Sequence, residues 1–286
     1  MISLKLDYRN KMLKKIPREL LKHRFVKEIS FFRNDVEEIP EEFFNITSIE
    51  NLNLSVNKIK EIPKEISKLK KLKILDLGYN RIEFLPKEIF ELEELSEYLY
   101  LHGNNIVSIP KEIKNLKKLK YLNLSENRIS KLPLEIGELK SLVELRINSN
   151  KLSEIPIILG KLSNLRELHL KENNIENIPN ELCNLSRLRI LDISDNALKE
   201  LPKEIGNLKF LRRINLRNNE LKEIPKGIGE ISGLLEIDLR GNDITTLPKE
   251  ILNIEGLEKL DLRWNVNLEA DEILSELDKR GCIVYK

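Results

Sequence analysis

The sequence predicts an α/β solenoid: about thirteen short parallel strands side by side in one concave sheet, each followed on the convex side by a short helical turn. Three observations predict it. All eleven prolines fall at one phase of a 23-residue period, at Pro17, Pro40, Pro63, Pro86, Pro110, Pro133, Pro156, Pro179, Pro202, Pro225 and Pro248, with a single step of 24 after Pro86. An asparagine recurs at the same period, at Asn34, Asn57, Asn80, Asn104, Asn127, Asn150, Asn173, Asn196, Asn219, Asn242 and Asn265. Before each asparagine stands an apolar pair two residues apart, such as Leu75 and Leu77 before Asn80. A period of this length marks stacked supersecondary units, each completed by its neighbours because none buries its apolar face alone.

Each element follows from its residues. In Leu122-Asn123-Leu124 the two leucines point inward and Asn123 outward, the alternation of a strand. Parallel strands need a crossover, and the roughly 17 residues between successive strands supply it across a buried apolar layer. The recurrent asparagine stands where the chain turns, and its short amide can satisfy peptide groups of that turn. In the first unit Lys11 takes its place, beside Asn10. Proline followed by Lys-Glu-Ile reads as the first turn of a short helix, with the glutamate complementing the helix dipole. Ile158 and Gly227 replace that glutamate in two units. The mixed Lys and Glu of this side read as a solvated coat.

The positions Leu72, Leu75, Leu77, Asn80, Ile82, Leu85, Pro86 and Ile89 resemble the leucine-rich repeat pattern L-x-x-L-x-L-x-x-N-x-L-x-x-L-P. The resemblance runs from about Leu6 to the C-terminus. The Pro202 to Leu208 segment, P-K-E-I-G-N-L, is similar to the subgroup of intracellular Ras-scaffold proteins, plant Ras-group-related repeats and many bacterial repeat proteins. That resemblance implies small GTPases and phosphatase subunits as partners or, for bacterial relatives, host proteins reached by non-classical export.

Two segments are expected: residues 1–268 as an array of about 11–12 repeats, and residues 269–286 as a C-terminal capping helix and strand. Ile273, Leu274 and Leu277 share a helical face between Ala270 and Lys279, and Gly281 is placed to end that helix. Continuing the register past Leu260 and Leu262 puts Ile283 and Tyr285 at the inward positions of a last strand. Between Leu95 and Leu99 there are three residues where other units have two, so a local bulge is expected at that strand entrance. No polar helix precedes the first strand, which leaves its edge open. The chain reads as a monomer, with a dimer through that edge as the alternative.

With 34% charged residues and a formal net charge of +2, the chain lacks the basic excess that phosphate-backbone binding favours, which argues against nucleic acid. Neither a signal-peptide run nor a membrane span is evident. Cys183 and Cys282, four repeats and ~20 Å apart, lie beyond disulfide reach. Reduced thiols without cysteine-rich caps point to a cytoplasmic setting, the alternative being export without a cleavable signal.

Side chains six, four, two and one residues before the asparagine face away from the core. There stand Phe32, Tyr79, Tyr98, Tyr100, His102 and Tyr121, so that four of the six tyrosines fall in three adjacent units. Tyrosine offers large area, a polar handle and little rotamer entropy to lose, the properties of a binding hot spot. Strand propensity alone is the competing explanation. Further on, the same surface carries His169, Arg213, Arg217, Arg240, Arg263 and Trp264. Asp192, Asp238 and Asp261 adjoin the arginine column, which favours a self-paired ladder; an incomplete ladder would instead take an acidic partner segment. Ile157 and Ile158 make a small apolar patch on the opposite side.

No catalytic constellation emerges. His102 and His169 are roughly 14 Å apart by strand spacing, too far to share a metal. Cys282 has no evident base, phosphate-loop and nucleophile-elbow motifs are absent, and Asp192 and Asp195 lie on an open sheet. The expectation is a recognition scaffold without cofactor or metal, binding a protein or peptide on its concave strands. The alternatives are an effector or accessory subunit recognising host or signalling proteins, and a sensor of a small ligand or glycan.

Overall fold

The structure is a computed structural model that describes residues 4–23 and 25–286. It divides into two compact units, residues 1–146 and 147–286. The first holds strands β1 (Leu4–Asp7), β2 (Val26–Ser30), β3 (Asn51–Asn53), β4 (Ile74–Asp76), β5 (Tyr98–Tyr100), β6 (Tyr121–Asn123) and β7 (Glu144–Arg146), each parallel to the next. The second holds β8 (Glu167–His169), β9 (Ile190–Asp192), β10 (Arg213–Asn215), β11 (Glu236–Asp238), β12 (Lys259–Asp261), helix α1 (Asp271–Lys279) and β13 (Ile283–Tyr285), again parallel in sequence order. Both units are repeat solenoids, with thirteen strands between them.

Each repeat encloses one layer of core. In the third, Leu52, Leu54, Ile59, Ile62, Ile66, Leu69 and Leu72 are all buried. Every such side chain contributes about 1.5–3 kcal/mol on removal from water. The asparagines tie the layers together more widely than their own turn requires. Asn57 Nδ2 donates to the carbonyls of Leu54 (3.0 Å) and of Phe31 one repeat earlier (2.9 Å), while its Oδ1 accepts from Val36 N–H (3.0 Å). Asn80, Asn104, Asn127, Asn173, Asn196, Asn219, Asn242 and Asn265 repeat this pattern. One amide thus satisfies buried peptide groups on two layers at once.

The residue before each asparagine is left-handed, including Val56 (φ 57°), Tyr79 (φ 51°) and Trp264 (φ 67°). Tyr79 and Trp264 therefore stand in the turn after the strand, not on the strand itself. The short helical turns form as expected, but proline does not stand in their first turn. They are 3-10 turns of five residues, and proline occupies the cap before the turn with extended backbone (Pro202, φ −62°, ψ 142°). Its carbonyl accepts the first bond, from Ile205 N–H at 3.0 Å.

The extra residue of the fifth repeat lies in a bend at Glu97 ahead of β5. In the regular fourth repeat the amides of Lys73 and Ile74 both donate to the Glu50 carbonyl. Beyond the insertion, Lys120 and Tyr121 donate to separate carbonyls, those of Ser96 and Glu97. The bulge is confined to the approach, so β5 itself pairs in regular register.

At the C-terminal end α1 buries Leu274 and Leu277, and Gly281 follows with φ 87°. The strand register is corrected by one residue. Ile283 pairs with Lys259 and Tyr285 with Asp261, so both face outward, and Cys282 and Val284 take the inward positions. Replacing the proline turn by a helix lengthens this repeat by one residue, and a one-residue slip exchanges the faces of a strand. Cys183 and Cys282 are both buried free thiols, and burial pushes the Cys183 thiol up to about 11. Of the two isoleucines in the seventh turn, Ile157 is exposed and Ile158 half-buried.

Over five successive repeats of the first unit one rim position, within β2 and then just ahead of β3 to β6, alternates in charge: Lys27, Glu50, Lys73, Glu97, Lys120; Val143 follows ahead of β7. Neighbours pair across strands, Lys27 with Glu50 at 2.6 Å, Lys73 with Glu50 at 2.8 Å and Lys120 with Glu97 at 3.1 Å. Hydrogen bonds from Lys27 and Lys73 hold the Glu50 carboxyl down at about 2. A depressed carboxylate stabilises the fold above its unfolded pKa, and the contribution fades as pH falls through the folded one. Glu50 should titrate near pH 2 by carboxyl-carbon NMR, and its stabilising contribution should decline between the ordinary glutamate range and that value; an ordinary midpoint would refute the pairing.

Candidate functional site

Registration of β3 to β6 places Asn51, Ile74, Tyr98 and Tyr121 in one outward column and Asn53, Asp76, Tyr100 and Asn123 in the next. In a chain one-third charged, this face carries a single acidic or basic side chain in those two columns, Asp76. Asp76 is engaged, accepting from Gly78 N–H at 3.0 Å and Asn53 Nδ2 at 3.1 Å.

On this neutral ground the predicted aromatics form a continuous row. Tyr121 stacks on Tyr98 (centroids 4.6 Å), Tyr98 on Tyr100 (5.4 Å), Tyr100 meets His102 edge-on (5.9 Å), and His102 meets Tyr79 edge-on (4.9 Å). Two glycines make the last contacts fit. A Cβ on Gly78 would lie 2.5 Å from the His102 ring, and one on Gly103 would lie 2.4 Å from the Tyr79 ring. Repeats four and five thus exchange aromatic rings over each other's glycine. Tyr79 then reaches past Gly103 to donate its hydroxyl to Glu126 at 3.1 Å, and this bond to a carboxylate raises the phenol's pKa. Burial raises that of Tyr100. Among the described residues, His102 Nδ1 is buried without a hydrogen-bond partner. A hollow of 380 Å³ lies beside Tyr98, Tyr100 and Tyr121, bounded by Glu144 and Arg146, which pair with each other. Phe32 stands outside the ring row; it lines a second hollow that ends at Tyr100.

The glycine roles were missed in the sequence, although both glycines occupy outward positions beside Tyr79 and His102 when repeats are aligned.

In the second unit, the arginine face is largely self-paired. Arg240 donates to Asp238 (2.9 Å) and lies 3.4 Å from Asp261, while Arg263 donates to Asp261 (3.0 and 2.7 Å). Burial pushes the Asp261 carboxyl up, but bonds from Arg263 and the Arg240 charge outweigh it and hold it below its ordinary value. The ladder departs from expectation at Arg217, which donates to Asp195 (3.3 Å) and not to Asp192: Arg240 and Arg263 pair with the aspartate two residues earlier, and at that place before Arg217 stands Asn215. Arg213 pairs with Glu236 at 3.2 Å. Trp264 is 65% exposed with Arg263 over its ring at 5.9 Å. His169 contacts Glu167 at 3.2 Å.

A stack of parallel strands, asparagine-bonded turns and 3-10 crossovers defines a repeat-solenoid fold. The profile "Leucine-rich repeat region" matches residues 97–194 and 176–280, and "Leucine rich repeat" matches 25–82 and 47–106. A leucine-rich repeat protein of Leptospira interrogans is 32% identical, with 99% of this chain and 84% of that one covered and a TM-score of 0.73. An internalin of Listeria monocytogenes shares the fold at 20% identity, with a TM-score of 0.86 over 99% of this chain and 80% of that one. A plant peptide hormone receptor in complex with RGF2 is 31% identical, with a TM-score of 0.82 over 94% of this chain and 45% of that one. A comparison with curated proteins gives no match. The chain belongs to the leucine-rich repeat family. Among the described residues, no helix is long and apolar enough to cross a membrane.

Proposed function

We propose that the chain is a recognition scaffold whose aromatic row docks an extended segment of a partner protein. The observation that carries this reading is the unbroken contact of five rings, from Tyr79 to Tyr121, on a sheet face almost without charge. Rings already in mutual contact lose little freedom when a partner arrives. Strand propensity accounts for single tyrosines, not for glycines at the two places where rings need room.

Ring orientation favours peptide over glycan. Tyr98 lies within 22° of parallel to both Tyr121 and Tyr100, so these faces turn toward one another and leave hydroxyls and ring edges for the partner. Sugars stack on open ring faces, whereas hydroxyls and edges suit peptide carbonyls and apolar side chains. The similar hormone receptor, solved with RGF2, supports a peptide-sized occupant. Small GTPases and phosphatase subunits, implied by the repeat signature, are the first proteins to test. Buried free thiols support a reducing compartment.

Peptides selected from a displayed random library on the intact chain should bind about 30-fold more weakly, a loss of about 2 kcal/mol, to the Tyr98→Ala/Tyr100→Ala/Tyr121→Ala variant with its circular dichroism unchanged. Equal affinity, or glycan-array binding without peptide binding, would refute the assignment.

A further inference from the structure

The position just ahead of each strand behaves differently in the two units. In the first it alternates in sign over Lys27, Glu50, Lys73, Glu97 and Lys120, whose neighbours pair, and is apolar at Val143. In the second the same position holds Arg166, Arg189 and Arg212 in three successive repeats. Their backbones are directly bonded, Arg189 N–H to the Arg166 carbonyl at 2.8 Å and Arg212 N–H to the Arg189 carbonyl at 2.9 Å. The three side chains therefore leave adjacent strands in register, about 4.8 Å apart at their roots. All three are exposed, and among the described residues none makes an ion pair or a side-chain hydrogen bond.

We propose that this rim of the second unit, Arg166, Arg189 and Arg212, is a docking strip for a short acidic segment of a partner protein. Like charges stacked at one strand spacing repel, and an incoming carboxylate relieves that repulsion while engaging the guanidinium fork. Arg187 extends the strip at its outer side, with Nη1 anchored to Asn164 at 2.6 Å. The strip is short. The column continues as Leu235 and Glu258, and Glu236 stands beside it on the sheet, paired to Arg213. These acids repel a polyanion running past the three arginines, which selects a few carboxylates over a nucleic-acid backbone. The strip shares no residue with the tyrosine row or with the sheet-face arginines Arg240 and Arg263, which are paired to acids.

Dye-labelled pentaglutamate should bind the full chain at low ionic strength, weaken with added salt, and bind about tenfold more weakly to the Arg166→Gln/Arg189→Gln/Arg212→Gln variant. The Lys27→Gln/Lys73→Gln/Lys120→Gln variant should bind like the parent, and dye-labelled pentaglutamine should bind neither. These substitutions are on exposed side chains, and unchanged circular dichroism verifies folding. Equal binding by the arginine variant, no binding by the parent chain, or displacement of the peptide by a single-stranded oligothymidylate or by phosphatidylserine vesicles at lower charge concentration would overturn the proposal.

Discussion

Asn219→Ala should destabilise the second unit by about 3 kcal/mol, far beyond the loss of a surface amide. Asn219 Nδ2 donates to the carbonyls of Ile193 (3.0 Å) and Leu216 (2.9 Å), and its Oδ1 accepts from Leu198 N–H (3.0 Å). Truncation orphans the buried Leu198 N–H outright and strips one of two donors from each carbonyl, leaving Ile193 with Asn196 Nδ2 (3.2 Å) and Leu216 with Asn242 Nδ2 (3.0 Å). The cost is local because a repeat contacts only its neighbours. Hydrogen exchange of the Leu198 amide should accelerate strongly while core amides of the first unit keep their rates. A urea midpoint within about 0.5 kcal/mol of the parent, as for an ordinary surface substitution, would show that the ladder is not what joins the layers.

Gly229→Ala should cost about 2–3 kcal/mol, although alanine is the better turn and helix former. A Cβ at Gly229 would lie 2.0 Å from the Glu250 carbonyl oxygen, and one at Gly160 2.0 Å from that of Glu181. Backbone carbonyls of the following turn cannot swing aside as a side chain can, so the turns must separate. The same phase of the repeat carries Phe44, Phe90 and Cys183, all buried, where successive turns leave room for a side chain. Gly227 follows the same logic: a Cβ there would meet the Lys203 carbonyl at 2.4 Å, which accounts for the loss of the usual glutamate. Gly160→Ala should behave as Gly229→Ala does, and urea denaturation of both variants checks the claim; unchanged midpoints would mean that the turns move apart freely.

Much of the fold was legible because each repeat states the same pattern. An apolar pair two apart can only be a strand face when it recurs every 23 residues with a proline at a fixed offset, and the first twelve strands fall where that pattern puts them. The last strand was misplaced by one residue because helix α1 breaks the period, and beyond a break the register is set by how the helix sits on the preceding turn. The tyrosine columns were legible for a similar reason: outward positions are fixed by alternation. Left-handed backbone at Tyr79 and Trp264 was not, since it arises from bonding the following asparagine between two layers. Nor was the contrast between the rim columns, which becomes informative only when Lys27, Glu50 and Lys73 are seen paired and Arg166, Arg189 and Arg212 are seen without acids.

By itself the sequence determined the repeat length, the asparagine positions and, through the first twelve strands, which side chains face the core and which face outward, because these depend on period and polarity alone. The tertiary structure decided which rings touch, which charges are already neutralised and which glycines cannot gain a methyl. Those outcomes depend on distances between residues some 23 positions apart, and angstrom differences in the spacing of neighbouring turns and strands are not written in any single repeat.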